Sequence, residues 1–391
     1  MEQNLIEARI DLDAIFRNTE NLKGLTEKGT RFMAVVKADA YGHGAVPSAR
    51  SAVRAGADRL GVARLEEALE LRRANLDSPI LIFGYTPPSS LQTLAENDLT
   101  ATVYEAASAG ALSDAAVNLG KVLRVHLKVD TGMGRVGLLA PGLRPDQGGS
   151  ASAAEEVMRI TELPGLFVEG VYTHFASADS LDKSYTRYQL ENFTAFLAEL
   201  EKKNIRFDCV HAANSAGIID MPESHFDMVR AGISLYGLYP SSEVDRSRVS
   251  LLPAMTLAGK TTSVRRVPKG FRISYGMTWT TSSETCIASV PVGYADGFSR
   301  LMSSNGFMLV KGKRAPIAGR VCMDQTIIDI FGIEDVSVGD EVVILGKQGA
   351  EEITADEIAE RTGTINYEVV SAITGRVPRV YSPSSESSFS G

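Results

Sequence analysis

The stretch "FMAVVKADAYGHG" occupies residues 32–44. Its first half is apolar and reads as a buried strand. The run ends on Lys37, and a Gly/Tyr/His loop follows. Two readings of Lys37 stand here. Its ammonium can reach water while its methylenes pack. Alternatively, the amine is desolvated, loses its proton readily and attacks carbonyls, the pyridoxal aldehyde included. Where the strand lies in the fold decides between them.

Seven further apolar runs follow this one: "RLGVA" (59–63), "PILIFG" (79–84), "LTATVY" (99–104), "KVLRVHLKVD" (121–130), "GLFVEGVYTHF" (165–175), "FDCVHAAN" (207–214) and "FDMVRAGISLYG" (226–237). Segments such as "RLEEALELRRA" and "DKSYTRYQLENFTAFLAELEKK" lie between them, with apolar residues at helical spacing. Eight strands alternating with helices predict an α/β fold, a (β/α)8 TIM-type barrel. An open doubly wound sheet fits less well, because no Gly-rich dinucleotide fingerprint follows the first strand. Beyond Pro240 the texture changes. "PSSEVDRSRVSLLP" reads as a linker. "ASVPVGYADG", "FMLVKGKRAPIAG", "QTIIDIFG" and "DEVVILG" then read as hairpin strands of a mostly-β C-terminal domain. One late helix, "TADEIAERTG", is expected to open with a capping box from Thr354 to Glu357. The expected division is 1–240 for the barrel, whose first ~12 residues are free to join the second domain, and 241–391 for the β-domain, with a disordered tail from about 382.

The 391 residues carry a net charge of −8 and no basic run, which argues against a nucleic-acid partner. No apolar run is long enough to span a bilayer. "MEQNLIEARIDLDAIF" has acids and no unbroken apolar core, so it does not read as a signal peptide. Cys209, Cys286 and Cys322 are too widely spaced for a zinc pattern or a disulfide framework. A reduced cytoplasmic protein without a metal is the expectation.

A barrel places active sites at the C-terminal ends of its strands. Lys37 ends the first strand. Arg135 follows the fifth in "VDTGMGR", His174 ends the sixth in "YTHF", and Asn214 and Ser215 end the seventh. Arg230, Gly232 and Ile233 sit on and after the eighth. Loops after strands seven and eight often bind phosphate, and the Ser215 hydroxyl with the N–H groups of Gly232 and Ile233 suits an anion. Ser215 also reads as a simple N-cap of "SAGIID". A lysine, a phosphate site and no metal pattern together suggest pyridoxal phosphate.

Here the chain resembles a known family. "AVVKADAYGHG" is similar to the cofactor-lysine signature of the alanine racemases. "LKVDTGMGRVG", "YTHFASAD", "HAANSAG", "VRAGISLYG", "ISYGMTW", "PVGYADG", "GRVCMDQ" and "INYEVVSAITGRVPR" resemble the rest of that family, in order, from Val35 to Arg379. The resemblance implies interconversion of L- and D-alanine by a two-base racemisation with pyridoxal 5'-phosphate, supplying D-alanine for peptidoglycan. Lys37 would hold the cofactor as a Schiff base and act with Tyr275 as the opposed catalytic pair, Tyr275 coming from the partner subunit of a homodimer. Tyr41, Asn214, Ser215, Gly232, Ile233 and Tyr367 would bind the cofactor, with His174 at its ring and Arg230 at the pyridine nitrogen. Arg135 and Met323 would take the substrate. Lys128, at the place of a lysine that can be carbamylated in the family, would orient Arg135, and His211 and Asp324 would orient other groups. Tyr294, Asp179, Arg300, Arg320 and Ile365 would line the substrate corridor. Outside the resemblance, Tyr275 reads as one half of a cross-strand aromatic pair, and Cys322 as an ordinary packed thiol.

Three rival activities remain open in the sequence: a broad-specificity racemase, a decarboxylase of the same architecture, and a cofactor-carrying barrel without catalysis. The decarboxylase would want an acid where Arg230 stands. The carrier would lack the β-domain and Tyr275.

Overall fold

The structure, a computed structural model, describes residues 4–143 and 152–382. The tail expected beyond 382 lies outside the described residues. The chain divides into two compact units. One contains Ile15–Ala40 and Ala45–Leu252, the other Met1–Ala14, Tyr41–Gly44 and Pro253–Gly391.

Strand β1 (Ile6–Ile10) belongs to the second unit. The first unit is built on β2 (Arg31–Val35), β3 (Arg59–Val62), β4 (Ile80–Ile82), β5 (Leu99–Val103), β6 (Leu123–Asp130), the two-residue β7 (Leu138–Leu139), β8 (Leu166–Tyr172), β9 (Cys209–His211) and β10 (Met228–Ala231). All pair in parallel, in the order β5-β4-β3-β2-β10-β9-β8-β6, and β5 pairs with β6 to close the ring. This is a closed eight-stranded barrel, one strand for each apolar run. β7 extends β6 outside the ring. β3, β4, β5 and β10 are buried at every position, because parallel strands are covered on both faces. Helices Ala45–Arg54, Leu65–Arg73, Leu91–Glu96, Ala106–Asn118, Ala153–Thr161, Ser184–Lys202 and Ser215–Asp220 fill the crossovers. No helix among the described residues is long and apolar enough to cross a membrane.

The second unit continues with β11 (Met255–Lys260), β12 (Ser263–Val267), β13 (Arg272–Ile273), β14 (Trp279–Thr280), β15 (Thr285–Val290), β16 (Phe307–Val310), β17 (Lys313–Pro316), β18 (Thr326–Asp329), β19 (Glu341–Gln348), β20 (Glu351–Ile353) and β21 (Arg379–Tyr381). β1 lies between the chain's last strand and β11, parallel to β21 and antiparallel to β11. The main sheet runs β17-β16-β19-β11-β1-β21, with β20 on β19. β12-β15-β18 form a second sheet and β13-β14 a hairpin. Val267, Ile273, Ile287 and Ala318 make a small core under Phe271, Trp279 and Ile327.

Two local expectations change. The late helix Ala355–Thr362 has only half of a capping box. Thr354 accepts from the Glu357 N–H at 3.0 Å. The Glu357 carboxylate is drawn instead to Arg314 and Arg361, a charged pairing that outbids one backbone N–H. A second helix, Asn366–Ser371, lies inside "INYEVVSAITGRVPR", where the sequence reading places none. At six residues it is too short to show helical periodicity.

Candidate active site

β2 stops at Val35, and Lys37 opens a turn in which Ala38, Asp39, Ala40 and Tyr41 all have φ of 53–54°. Left-handed geometry costs a side-chain-bearing residue about 1–2 kcal/mol. Two carboxylates hold the turn. Ala38 N–H donates to Glu67 Oε1 and Ala45 N–H to Asp39 Oδ1, both at 2.7 Å. Glu67 Oε2 also accepts from the Ala63 and Arg64 N–H groups, tying the turn to the loop after β3. The sharp reversal leaves Lys37 at the strand end. Burial, and then the positive charge of Arg135, lowers its amine below the ordinary lysine value.

The barrel interior is polar where most barrels stack apolar layers. His126, Lys128 and Asp130 alternate along β6 and so share one face. Burial pushes the Asp130 carboxyl up, but N–H bonds from Gly132, Gly134 and Arg135 outweigh it and hold the group below its usual value. Asp130 thereby shapes the "TGMGR" loop that carries Arg135, whose side chain is exposed. Lys128 is fully buried. Its Nζ donates to the Val129 carbonyl at 2.7 Å and lies 5.5 Å from the Tyr172 ring centre. Burial, then the Arg230 charge, brings its amine down to about 7.

Arg230 is held by four acceptors. Nη1 donates to His211 Nδ1 at 2.9 Å, and Nη2 to the carbonyls of Ala212 (2.8 Å) and Thr173 (2.9 Å) and to His174 Nδ1 (3.2 Å). Tyr172 stacks on His211 at 4.7 Å and 10°, with the Arg230 guanidinium 5.3 Å from its centre. Burial lowers Arg230 to about 10, which leaves it charged at neutral pH. Burial and the Arg230 charge drive His174 and His211 well below the ordinary histidine value, so both are neutral there.

At the ends of β9 and β10 the N-cap is Asn214, not Ser215. Asn214 Oδ1 accepts from Gly217 N–H at 3.0 Å. Ser215 Oγ is thereby left to accept from Gly232 N–H at 2.8 Å and, more loosely, from Ser234 N–H at 3.4 Å. Two backbone donors and a hydroxyl on one point, with Ile233 opening the next turn, form a cradle for oxygen atoms of an anion.

In the second unit Tyr41 and Tyr367 meet at 6.1 Å, and burial pushes the Tyr41 phenol up. The Val370 carbonyl leaves no room for a Cβ on Gly42. Tyr275 lies in the turn Tyr275–Met277 after β13 and is 71% exposed. It is not half of a cross-strand aromatic pair. The residue opposite Trp279 in that hairpin is Ile273. Ser274 Oγ donates to the Arg320 carbonyl at 2.6 Å and lies 3.4 Å from Cys322 Sγ. Tyr294 N–H and Ala295 N–H donate to the carbonyls of Cys322 and Met323, both at 3.1 Å. Val321 N–H reaches Ser303 Oγ at 3.0 Å, beside the turn that Arg300 opens. The structure thus ties the loops bearing Tyr275, Tyr294, Arg300, Arg320 and Met323 together. Asp324 pairs with Arg376 at 2.7 Å. Ile365 is exposed at the start of helix Asn366–Ser371. Asp179 belongs to the barrel unit, where its carbonyl accepts from Ser241.

Sequence reasoning passed over Asp39, Glu67, Asp130 and Tyr172, and the trio of buried Arg59 and His126 with half-buried Glu169. For Glu169 a signal existed: a lone acid inside the apolar run "GLFVEGVYTHF" needs a partner if buried.

Residues 10–240 match the family described as alanine racemase, N-terminal domain, and residues 254–381 match alanine racemase, C-terminal domain. The chain is 52% identical over 382 residues to the alanine racemase of Desulfosudis oleivorans, covering 97% of each. Among solved structures it is similar to the alanine racemase of Clostridium difficile 630, with a TM-score of 0.91, 40% identity and coverage of 98% of this chain and 97% of that one. It is similar also to the Bacillus anthracis alanine racemase with bound L-Ala-P, with a TM-score of 0.89, 39% identity and coverage of 98% and 96%. On all these grounds the chain belongs to the alanine racemase family.

Proposed function

We propose that the chain interconverts L- and D-alanine with pyridoxal 5'-phosphate as its cofactor. The donor set fits that group. Lys37 offers an amine with a lowered proton affinity. Ser215, Gly232, Ile233 and Tyr41, with Tyr367 against Tyr41, would take the phosphate, supported by the convergence of N–H groups on Ser215 Oγ. Asn214 would position Ser215, and His174 would lie at the ring. When bound, the cofactor supplies an electrophilic carbon and a conjugated ring that accepts negative charge from Cα.

The observation that carries this reading is Arg230. Its four partners are two carbonyls and two neutral imidazoles, none of them a carboxylate. A guanidinium does not release its proton at neutral pH, so Arg230 would leave a pyridine nitrogen unprotonated and the ring a weak electron sink. That favours return of the proton to Cα over transamination, and disfavours the decarboxylase. Lys37 would move the proton on one face of Cα. Tyr275 of the partner subunit would move it on the other, as an exposed phenol at the tip of its turn allows. Arg135 and the Met323 N–H would bind the substrate carboxylate, Lys128 and His211 would orient Arg135 and Arg230, and Asp324 would orient the Met323 loop. Tyr294, Asp179, Arg300, Arg320 and Ile365 would line the corridor. The wider proposal is a cytoplasmic homodimer with domains at 1–240, whose first ~12 residues are free to join the second domain, and 241–391, supplying D-alanine for peptidoglycan, with neither nucleic acid nor membrane as a partner.

The test is incubation of the cofactor-loaded protein with L-alanine in deuterated water. D-alanine carrying deuterium at Cα is the expected product. Release of carbon dioxide, or no turnover by a loaded and folded protein, overturns the reading. Faster turnover of L-serine or larger amino acids would shift it to a broad-specificity racemase.

A further inference from the structure

Within the barrel a line of hydrogen bonds leads away from Arg230. His211 Nδ1 faces Arg230 Nη1 at 2.9 Å, and His211 Nε2 faces His126 Nδ1 at 2.9 Å. His126 Nε2 faces Glu169 Oε2 at 3.0 Å. Glu169 is in turn gripped by Arg59, with Nη1 to Oε2 at 2.9 Å and Nη2 to Oε1 at 2.6 Å. Arg59 Nη1 also stands 2.9 Å from His126 Nε2. All five residues belong to the barrel unit, and Arg59 opens β3, at the strand end opposite the cofactor side.

Local backbone features serve this line. The β6–β8 register jumps from Val125↔Val168 to His126↔Gly170, so Glu169 is the extra residue of a bulge. Bulges re-aim side chains. A Cβ on Gly170 would lie 2.6 Å from Cε1 and 2.7 Å from Nδ1 of His126, so the imidazole needs glycine there.

The ends of the line fix its direction. An arginine only donates and a carboxylate only accepts. Both imidazoles are neutral. Burial takes His126 down to about 4 and His211 well below its ordinary value. At Glu169 burial works against ionisation, but the His126 bond and the Arg59 pair hold the carboxyl well below its usual range. Each imidazole therefore has one proton to place. We propose that Glu169, held by Arg59 at one end, and Arg230 at the other together set the tautomers of His126 and His211, both protonated at Nε2, so that His211 Nδ1 accepts from Arg230 and fixes the guanidinium in place. Arg59 and Glu169 are positioning residues. The importance of Arg230 rests on the proposed function, but the tautomers do not.

Removing Glu169 should leave a donor at each end of the line. Arg59 Nη1, already at 2.9 Å, becomes a donor to His126 Nε2 that competes with Arg230. A share of the molecules then carries the His126 proton on Nδ1 and that of His211 on its own Nδ1, where it faces an Arg230 donor. Removing Arg59 as well leaves Arg230 as the only fixed donor, and the original tautomers return.

The experiment is nitrogen-15 NMR of histidine-labelled full-length protein, with and without cofactor, assigned among the five histidines by single replacements. Expected are Nε2–H on His126 and His211 in the wild type, a share of Nδ1–H on both in Glu169→Ala, and loss of that share in Glu169→Ala/Arg59→Ala. The kcat for alanine should fall in the single variant and recover in part in the double, with KM moving less. Glu169→Leu replaces Glu169→Ala if the latter does not fold. A wild-type Nδ1–H tautomer on either residue, or no Nδ1–H share in a folded Glu169 variant, overturns the inference. Neither result touches the alanine-turnover test, and failure of that test leaves the tautomers unaffected.

Discussion

Lys128 is a fully buried amine whose Nζ donates to its neighbour's carbonyl, with an aromatic face beside it. Its proton affinity falls from 10.5 to about 7, through burial and then Arg230. The linkage has a definite sign. Below about pH 7 both folded and unfolded chains hold the proton, and the full cost of the buried charge is present. Between about 7 and 10.5 the unfolded chain binds more protons, so this part of the stability rises with pH. Above 10.5 the cost is gone. Lys128→Met should therefore be stabilising relative to wild type near pH 6.5, and the gap should narrow toward pH 10. Urea midpoints of both proteins at several pH values, in carbon-dioxide-free buffer, check this. A gap that stays constant or widens with pH would mean that Lys128 keeps its proton in the folded barrel. The same neutral fraction near pH 7 is what carbamylation requires, since only a free amine adds carbon dioxide.

At the scale of one element, the turn after β2 combines unfavourable backbone with favourable partners. Four consecutive non-glycine residues are left-handed, and nothing in the letters "ADAY" favours that. Glu67 and Asp39 hold it through charge-assisted bonds, the stronger kind. Ala38 is exposed and so makes a clean probe. In a right-handed helix, Ala38→Gly would cost about 1 kcal/mol. Here glycine relieves about 1–2 kcal/mol of left-handed strain, against ~0.4–1 kcal/mol gained by the unfolded chain. The expected result is no loss of stability, or a gain of up to about 1.6 kcal/mol. Thermal denaturation of the variant decides. A loss near 1 kcal/mol would mean the turn is right-handed in solution.

At the scale of the whole molecule, the two proposed catalytic groups lie in different compact units, Lys37 in the barrel and Tyr275 in the β-unit. The proposed homodimer joins Lys37 of one protomer to Tyr275 of the partner subunit. Lys37→Ala and Tyr275→Ala homodimers should then both be inactive. A mixed dimer has one site lacking both groups and one site complete. Equal co-expression makes roughly half of the dimers mixed and restores roughly a quarter of all sites, given two-fold symmetry. The isolated heterodimer should recover activity accordingly. No recovery, in a heterodimer shown to be folded and cofactor-loaded, would mean that both residues act within one chain or that Tyr275 is not catalytic.

The sequence by itself determined the barrel. Its eight runs became eight parallel strands, because a strand covered on both faces must be apolar almost throughout, and that pattern is local. It also singled out the strand ends proposed to bear the chemistry, since a Lys37 or an Arg230 beside a buried run is visible one residue at a time. Only the tertiary structure decided what depends on partners far apart in the chain. The left-handed turn needs Glu67, and the cap at Asn214 leaves Ser215 to Gly232 and Ser234. Helix Asn366–Ser371 is too short for periodicity to reveal. The line from Arg59 through Glu169, His126 and His211 to Arg230 draws on five strands, β3, β6, β8, β9 and β10. Each of its residues alone reads as a stray charge or a core histidine. Closure of the barrel brings them within hydrogen-bonding distance, where one arginine that can only donate and one carboxylate that can only accept fix every proton between them.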